Sequence, residues 1–145
     1  MNNDFLEQRE QSQSLLGLCR VATELMRSII MNSEELPIFK ASYDLLEKMM
    51  ELSKELPKFF RYTIGTRLVD LCLDMLGQIY RANMSRDNRR KELEELIVCY
   101  RQLQMLLRVC YRQKAFSSGR YAVYIQLLDS IGRQATAWKN KMENE

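Results

Sequence analysis

Leu56-Pro57-Lys58-Phe59-Phe60-Arg61-Tyr62-Thr63-Ile64-Gly65-Thr66-Arg67-Leu68 is the stretch on which the reading of the fold turns. A second segment, Ile131-Gly132-Arg133-Gln134-Ala135-Thr136-Ala137-Trp138, shares its peculiarity. Each sets a glycine inside an apolar stripe of helical period. Glycine in a helix interior costs about 1 kcal/mol relative to alanine. Two such sites predict close backbone approach, either between helices or from a neighbouring subunit.

Outward from Leu56-Pro57 the helical pattern continues in both directions. The residue before a proline is pushed out of the helical region, so this dipeptide makes a tight join. Upstream, residues 37–55 read as one helix, with Pro37 tolerated in its first turn. Ile38, Ala41, Leu45, Met49 and Leu52 form one apolar stripe; Phe39, Tyr43, Leu46 and Met50 form a second beside it. The apolar arc is about 180° wide, more than the ~100° that a local bundle uses, so a further helix or subunit is expected to cover part of it. Downstream, residues 57–83 carry a core stripe of Ile64, Leu68, Leu71, Cys72, Met75 and Ile79, with Arg67, Asp74 and Arg81 on the wet side.

Three more helices complete the pattern. Residues 4–31 repeat Leu15, Cys19, Ala22, Leu25 or Met26, and Ile29, and the run 32–35 is expected to break them from the next helix. After a turn at 83–87, with Ser85 or Asp87 as N-cap, a helix to about residue 114 buries Leu93, Leu96, Tyr100, Leu103, Leu107 and Cys110. Ser117 or Ser118 caps the last helix, which turns Tyr124, Leu128, Ile131, Ala135 and Trp138 inward up to about residue 142. Short joins favour antiparallel neighbours. The expectation is an all-α protein: an antiparallel up-down-up-down four-helix bundle over residues 37–142, preceded by an N-terminal helical extension over residues 1–36.

Composition supports this and narrows function. The chain has 145 residues, enough for one domain, with only five glycines and two prolines, which argues against an all-β fold. With no histidine, Ser-His and Cys-His nucleophile pairs and histidine metal sites are excluded. No Walker A loop or dinucleotide-binding glycine motif occurs. Carboxylate pairs such as Glu94-Glu95 sit among other charges on polar faces. No catalytic residue, cofactor site or metal site is assigned. Cys19, Cys72, Cys99 and Cys110 lack metal or redox spacing and read as buried free thiols of a reducing compartment. Neither a membrane span nor a signal peptide is apparent, so a cytoplasmic location without membrane contact is expected.

Charge is uneven. Residues 1–57 sum to −4 and residues 58–145 to +7. Arg90, Arg101, Arg108 and Arg112 fall within about 40° of arc, opposite the core stripe of their helix, in a row about 33 Å long. Arginine suits phosphate through its permanent charge and fork of donors. Lys58 and Arg61 could extend such a nucleic-acid-binding patch. The alternative reading of the row is a solvated helix face, which Glu94 interrupts. Phe59, Phe60 and Tyr62 read first as core or subunit contacts and second as a stacking platform for single strands.

The motifs Leu56-Pro57-Lys58 with Arg61-Tyr62-Thr63-Ile64-Gly65-Thr66-Arg67, Leu107-Arg108 with Arg112, and Ile131-Gly132-Arg133 with Trp138 occur in an order that resembles the accessory variability determinant (Avd) proteins of diversity-generating retroelements. These belong to a wider prokaryotic four-helix-bundle group that includes proteins encoded in ribosomal-RNA intervening sequences. The resemblance covers about residues 37–142. It implies a non-enzymatic homo-oligomer, a ring-like pentamer, that binds RNA or DNA and partners a reverse transcriptase in mutagenic complementary-DNA synthesis from template RNA. Arg108 and Arg112 match positions of that family, whereas Arg90 and Arg101 rest on helical geometry. Two alternatives stand beside it: an intervening-sequence-type bundle protein, and an oligomeric scaffold without nucleic-acid binding.

Overall fold

The computed structural model describes residues 3–144, with residues 29–31 as backbone only. Its elements are α1 (Asn3–Glu35), α2 (Pro37–Glu55), α3 (Lys58–Phe60), a π-helical turn (Arg61–Gly65), α4 (Thr66–Met84), α5 (Arg89–Arg112) and α6 (Ser118–Glu143). The described residues contain no strand. The protein is all-helical and falls into two compact units, one ending at Asn32 and the other beginning at Ser33.

The first unit is most of α1. Of its expected stripe, Leu15, Leu25 and Met26 are 47–62% exposed, and Cys19 and Ala22 are exposed with them; Leu18 beside them is exposed as well. The side chain of Ile29 lies outside the described residues. The expected break at 32–35 is displaced: α1 runs on through Glu35, and the bend falls at Leu36. Ser33 and Glu34 already belong to the second unit. Asn83 Nδ2 donates to Ser33 Oγ at 2.8 Å, and Tyr80 Oη donates to Glu34 Oε1 at 3.1 Å.

The second unit is a helical bundle. α2 packs on α4 and α6, and α5 packs on the same two helices from the other side. Each helix supplies the stripe that its spacing marks out. Leu45, Met49 and Leu52 of α2 meet Leu68, Cys72, Met75 and Ile79 of α4, with Leu96, Leu103 and Leu107 of α5 and Leu128, Ile131 and Ala135 of α6 in the same core. The wide arc of α2 divides: Phe39 and Leu46 are buried, while Tyr43 and Met50 stay half-exposed. Ile64 and Trp138 are only partly buried.

The joins have specific chemistry. Leu56 is extended, as a residue before proline should be, and its N–H closes α2 on the Leu52 carbonyl. Ser117 caps α6 by accepting from the Arg120 N–H at 3.3 Å. The cap expected at Ser85 or Asp87 is not used. Ser85 ends α4, and Asn88 precedes α5 without a side-chain cap. That join is secured instead by Arg89 Nε, which donates to the Ala82 carbonyl at 2.8 Å, and by the Arg81–Glu92 ion pair at 3.0 Å. α5 stops at Arg112 rather than near residue 114. Ala115 N–H bonds to Cys110 O and Lys114 N–H to Tyr111 O, each at 3.0 Å. That pair of bonds is a Schellman motif, with Lys114 (φ 59°) in the left-handed position.

Both unusual glycines mark close approach. A Cβ on Gly65 would lie 2.6 Å from Ser53 Oγ of α2, and one on Gly132 would lie 2.8 Å from the Tyr100 ring of α5. At Gly65 the backbone also widens: Thr66 N–H reaches back five residues to the Arg61 carbonyl. Such π turns concentrate at functional positions.

Candidate nucleic-acid interface

The arginine row lies on the exposed side of α5, because Leu93, Leu96, Tyr100, Leu103 and Leu107 fix the opposite face in the core. Its four members have different surroundings. Arg90 is spent on carboxylates, with Nε 3.2 Å from Glu94 and Nη2 3.3 Å from Glu143 of α6. The Arg90 hydrogen bond, opposed by partial desolvation and helped by the charge of Lys139, holds the Glu94 carboxyl below its ordinary range. Arg101 packs on its own helix: its guanidinium lies 5.0 Å from the centre of the Tyr100 ring, and Nη1 donates to Gln104 at 3.5 Å. Arg108 and Arg112 are exposed and make no ion pair or hydrogen bond among the described residues. The uncompensated charge of the row therefore sits toward the C-terminal end of α5. A helix C-terminus favours cations, which places Arg112 well.

Lys58 and Arg61 lie at the same end of the bundle, where Leu56, Pro57 and Phe60 share a cavity with Cys110, Gln113 and Lys114. Lys58 is exposed and unpaired among the described residues. Arg61 helps to close α2. Its Nη2 donates to the Lys54 carbonyl at 2.7 Å and to the Leu56 carbonyl at 3.4 Å, satisfying groups left open where that helix ends. The residue is otherwise exposed. Phe59 and Tyr62 are exposed, not core, and only Phe60 is partly buried.

One residue of this region escaped the sequence reading. Lys114 protrudes from the α5–α6 join, exposed and unpaired among the described residues. Its signal in the sequence is the lack of any carboxylate between Glu95 and Asp129.

Among the described residues, no three His, Cys, Asp or Glu side chains cluster as metal ligands. Cys72 and Cys110 are buried, and burial pushes the Cys72 thiol up to about 12 and that of Cys110 in the same direction. Cys19, expected in a core, is exposed because the stripe of α1 is exposed. No helix among the described residues is long and apolar enough to cross a membrane.

Comparison with known proteins agrees with the motif reading. Neither the curated proteins nor the solved structures give a significant match. The model of the bAvd-like family matches residues 36–142, which is α2 to α6 with the interface just described. The chain therefore belongs to the bAvd-like family.

Proposed function

We propose that this protein is a non-enzymatic accessory factor that binds nucleic acid and partners a retroelement reverse transcriptase in mutagenic complementary-DNA synthesis from template RNA. The observation that carries the reading is the pair Arg108 and Arg112, exposed and uncompensated on a helix of a chain that belongs to the bAvd-like family. Phosphate contacts by such arginines position a nucleic acid without reading its sequence. The polymerase would supply the chemistry. The assembly in this reading is a cytoplasmic homo-oligomer, a pentamer of antiparallel four-helix bundles.

The test is salt-dependent binding to RNA and DNA. Replacing Arg108 and Arg112 with alanine should lower affinity and reduce the log-log salt slope by about 1.4 to 1.8, at 0.7 to 0.9 per lost phosphate contact. Helicity should not change, since neither side chain touches the core. Co-expression with the cognate reverse transcriptase and template RNA, followed by affinity capture, tests the partner. Wild-type binding by the double variant at every salt concentration would reduce the row to a solvated face.

A scaffold reading has its own observation: the groove between α2 and α4, lined by Phe39, Tyr43, Leu46, Leu73 and Leu76. Tyr43 and Leu73 are half-exposed there. Tyr43→Glu should dissociate the oligomer in light scattering without unfolding the chain. Loss of nucleic-acid binding in that variant would show that the binding surface spans subunits.

A further inference from the structure

Two stretches without carboxylates meet at one end of the bundle. Between Glu55 and Asp70 the charged residues are Lys58, Arg61 and Arg67; between Glu95 and Asp129 they are Arg101, Arg108, Arg112, Lys114 and Arg120. The fold joins the start of the first to the middle of the second. Leu56, Pro57, Phe60 and Ile64 line one wall of a cavity of about 230 Å³, and Cys110, Gln113, Lys114 and Ala115 line the other. Glu55, the acid bordering the first stretch, is already held by Arg120. Lys58, Arg112 and Lys114 therefore present charge at this end that no described carboxylate offsets.

Two further observations set this end apart from an ordinary basic surface. Phe59 and Tyr62 are 74% and 68% exposed, beside Lys58 and on either side of the start of the π turn. Lys114 occupies a left-handed position where glycine would be unstrained. Nothing in the packing asks for a long cation there, and backbone strain retained at a surface position points to use.

We propose that this end of the bundle binds single-stranded nucleic acid, with Lys58, Arg112 and Lys114 on phosphates and Phe59 and Tyr62 stacked on bases. The proposal rests on the nucleic-acid reading above and names the class of strand. A duplex keeps its bases stacked on one another and offers phosphates only. Exposed rings gain from unstacked bases, and stacking of this kind tolerates any sequence. The charge excess selects a polyanion over an uncharged apolar partner.

Fluorescence anisotropy with a labelled oligothymidine of about 12 nucleotides, within the span of a single-strand module, and a duplex of equal length decides the matter. Wild type should prefer the single strand by at least about fivefold, the gain from one stacked base. Replacing Phe59 and Tyr62 with alanine should lower single-strand affinity by about 25-fold and leave duplex affinity within about twofold. Both side chains are exposed, so the fold should survive, as circular dichroism would verify. Lys114→Gly should raise the melting temperature, because it relieves the left-handed strain, while reducing the single-strand salt slope by about 0.7. Equal affinity for both strands, with no loss in the aromatic variant, overturns the proposal. If Arg108→Ala with Arg112→Ala still weakens binding in that case, the general nucleic-acid reading survives it. Intact oligonucleotide binding with a changed oligomeric mass in the aromatic variant makes the rings a subunit contact and also overturns the proposal. A wild type that binds neither probe sinks both.

Discussion

In α2, Leu45, Met49 and Leu52 recur at three- and four-residue spacing and have no accessible surface; in α1, Leu15, Leu18, Leu25 and Met26 recur in much the same way and remain about half exposed or more. The two patterns are alike, and the outcomes differ because an amphipathic stripe specifies that a face can be buried, not what buries it. The stripe of α2 meets α4 and α6, whose own stripes complete a core. Most helical stability in proteins comes from such packing, with intrinsic propensity secondary. The segment with the complete core is also the one that the bAvd-like family model spans, and α1 lies wholly before it.

The comparison can be broken most sharply by one substitution made both in the bundle core, which α5 shares with α2, and in α1. Leu107 has no accessible surface, so Leu107→Ala should cost about 2–5 kcal/mol in urea denaturation. Leu18→Ala should stay within about 0.5 kcal/mol, as exposed substitutions do. A cost at Leu18 equal to that at Leu107 would mean that the α1 stripe is buried in solution, and the contrast would collapse.

The glycines give a smaller contrast with opposite signs. Gly132→Ala forces a methyl against the Tyr100 ring, where a Cβ would sit 2.8 Å away, and should destabilise by about 1–3 kcal/mol. Gly17 has open space around the same position, so Gly17→Ala should strengthen α1 by up to about 1 kcal/mol. Far-UV circular dichroism and thermal melts of the two variants should move in opposite directions.

The thiols give the smallest effect near neutrality. Cys19 should react first with a thiol reagent, with Cys72 and Cys110 protected until the bundle opens. Because burial raises the Cys72 thiol to about 12 from 9.0, the unfolded chain releases that proton first as pH rises. The contribution to stability is full below about pH 9 and declines between about 9 and 12, by up to about 1.4 kcal/mol per pH unit. Denaturation midpoints of wild type and Cys72→Ala should thus converge with rising alkali. Parallel curves would contradict the burial of Cys72.

Much of the bundle was legible in the sequence because strong local signals coincide with packing. Pro37 and Leu56-Pro57 bracket α2 at its true ends, and the six-residue stripe of α5 is buried throughout. Features set by tertiary contact were not legible. The cap at Ser85 or Asp87 was displaced because Arg89 and Arg81 secure that join from a distance. The left-handed residue after α5 carries no glycine to announce it. In the arginine row, angular spacing placed Arg108 and Arg112 on an open face, but only the fold shows Glu143 of α6 neutralising Arg90. Cys19 is exposed together with the apolar residues of α1, which no periodicity reports.

The π turn at Arg61–Gly65 also sets a phase. Each residue of an α-helix advances the side chains by 100°. Where Thr66 N–H bonds five residues back, one residue is accommodated without advancing the α-helical count. Deleting one residue within the turn should therefore restore a continuous α-helix and leave the core stripe of α4 in place. Lys58 and Phe59 would also keep their direction about the helix axis, because the residue removed had not advanced the count. The π turn thus absorbs one residue of sequence without turning the cations and rings of this end away from their place relative to the core stripe.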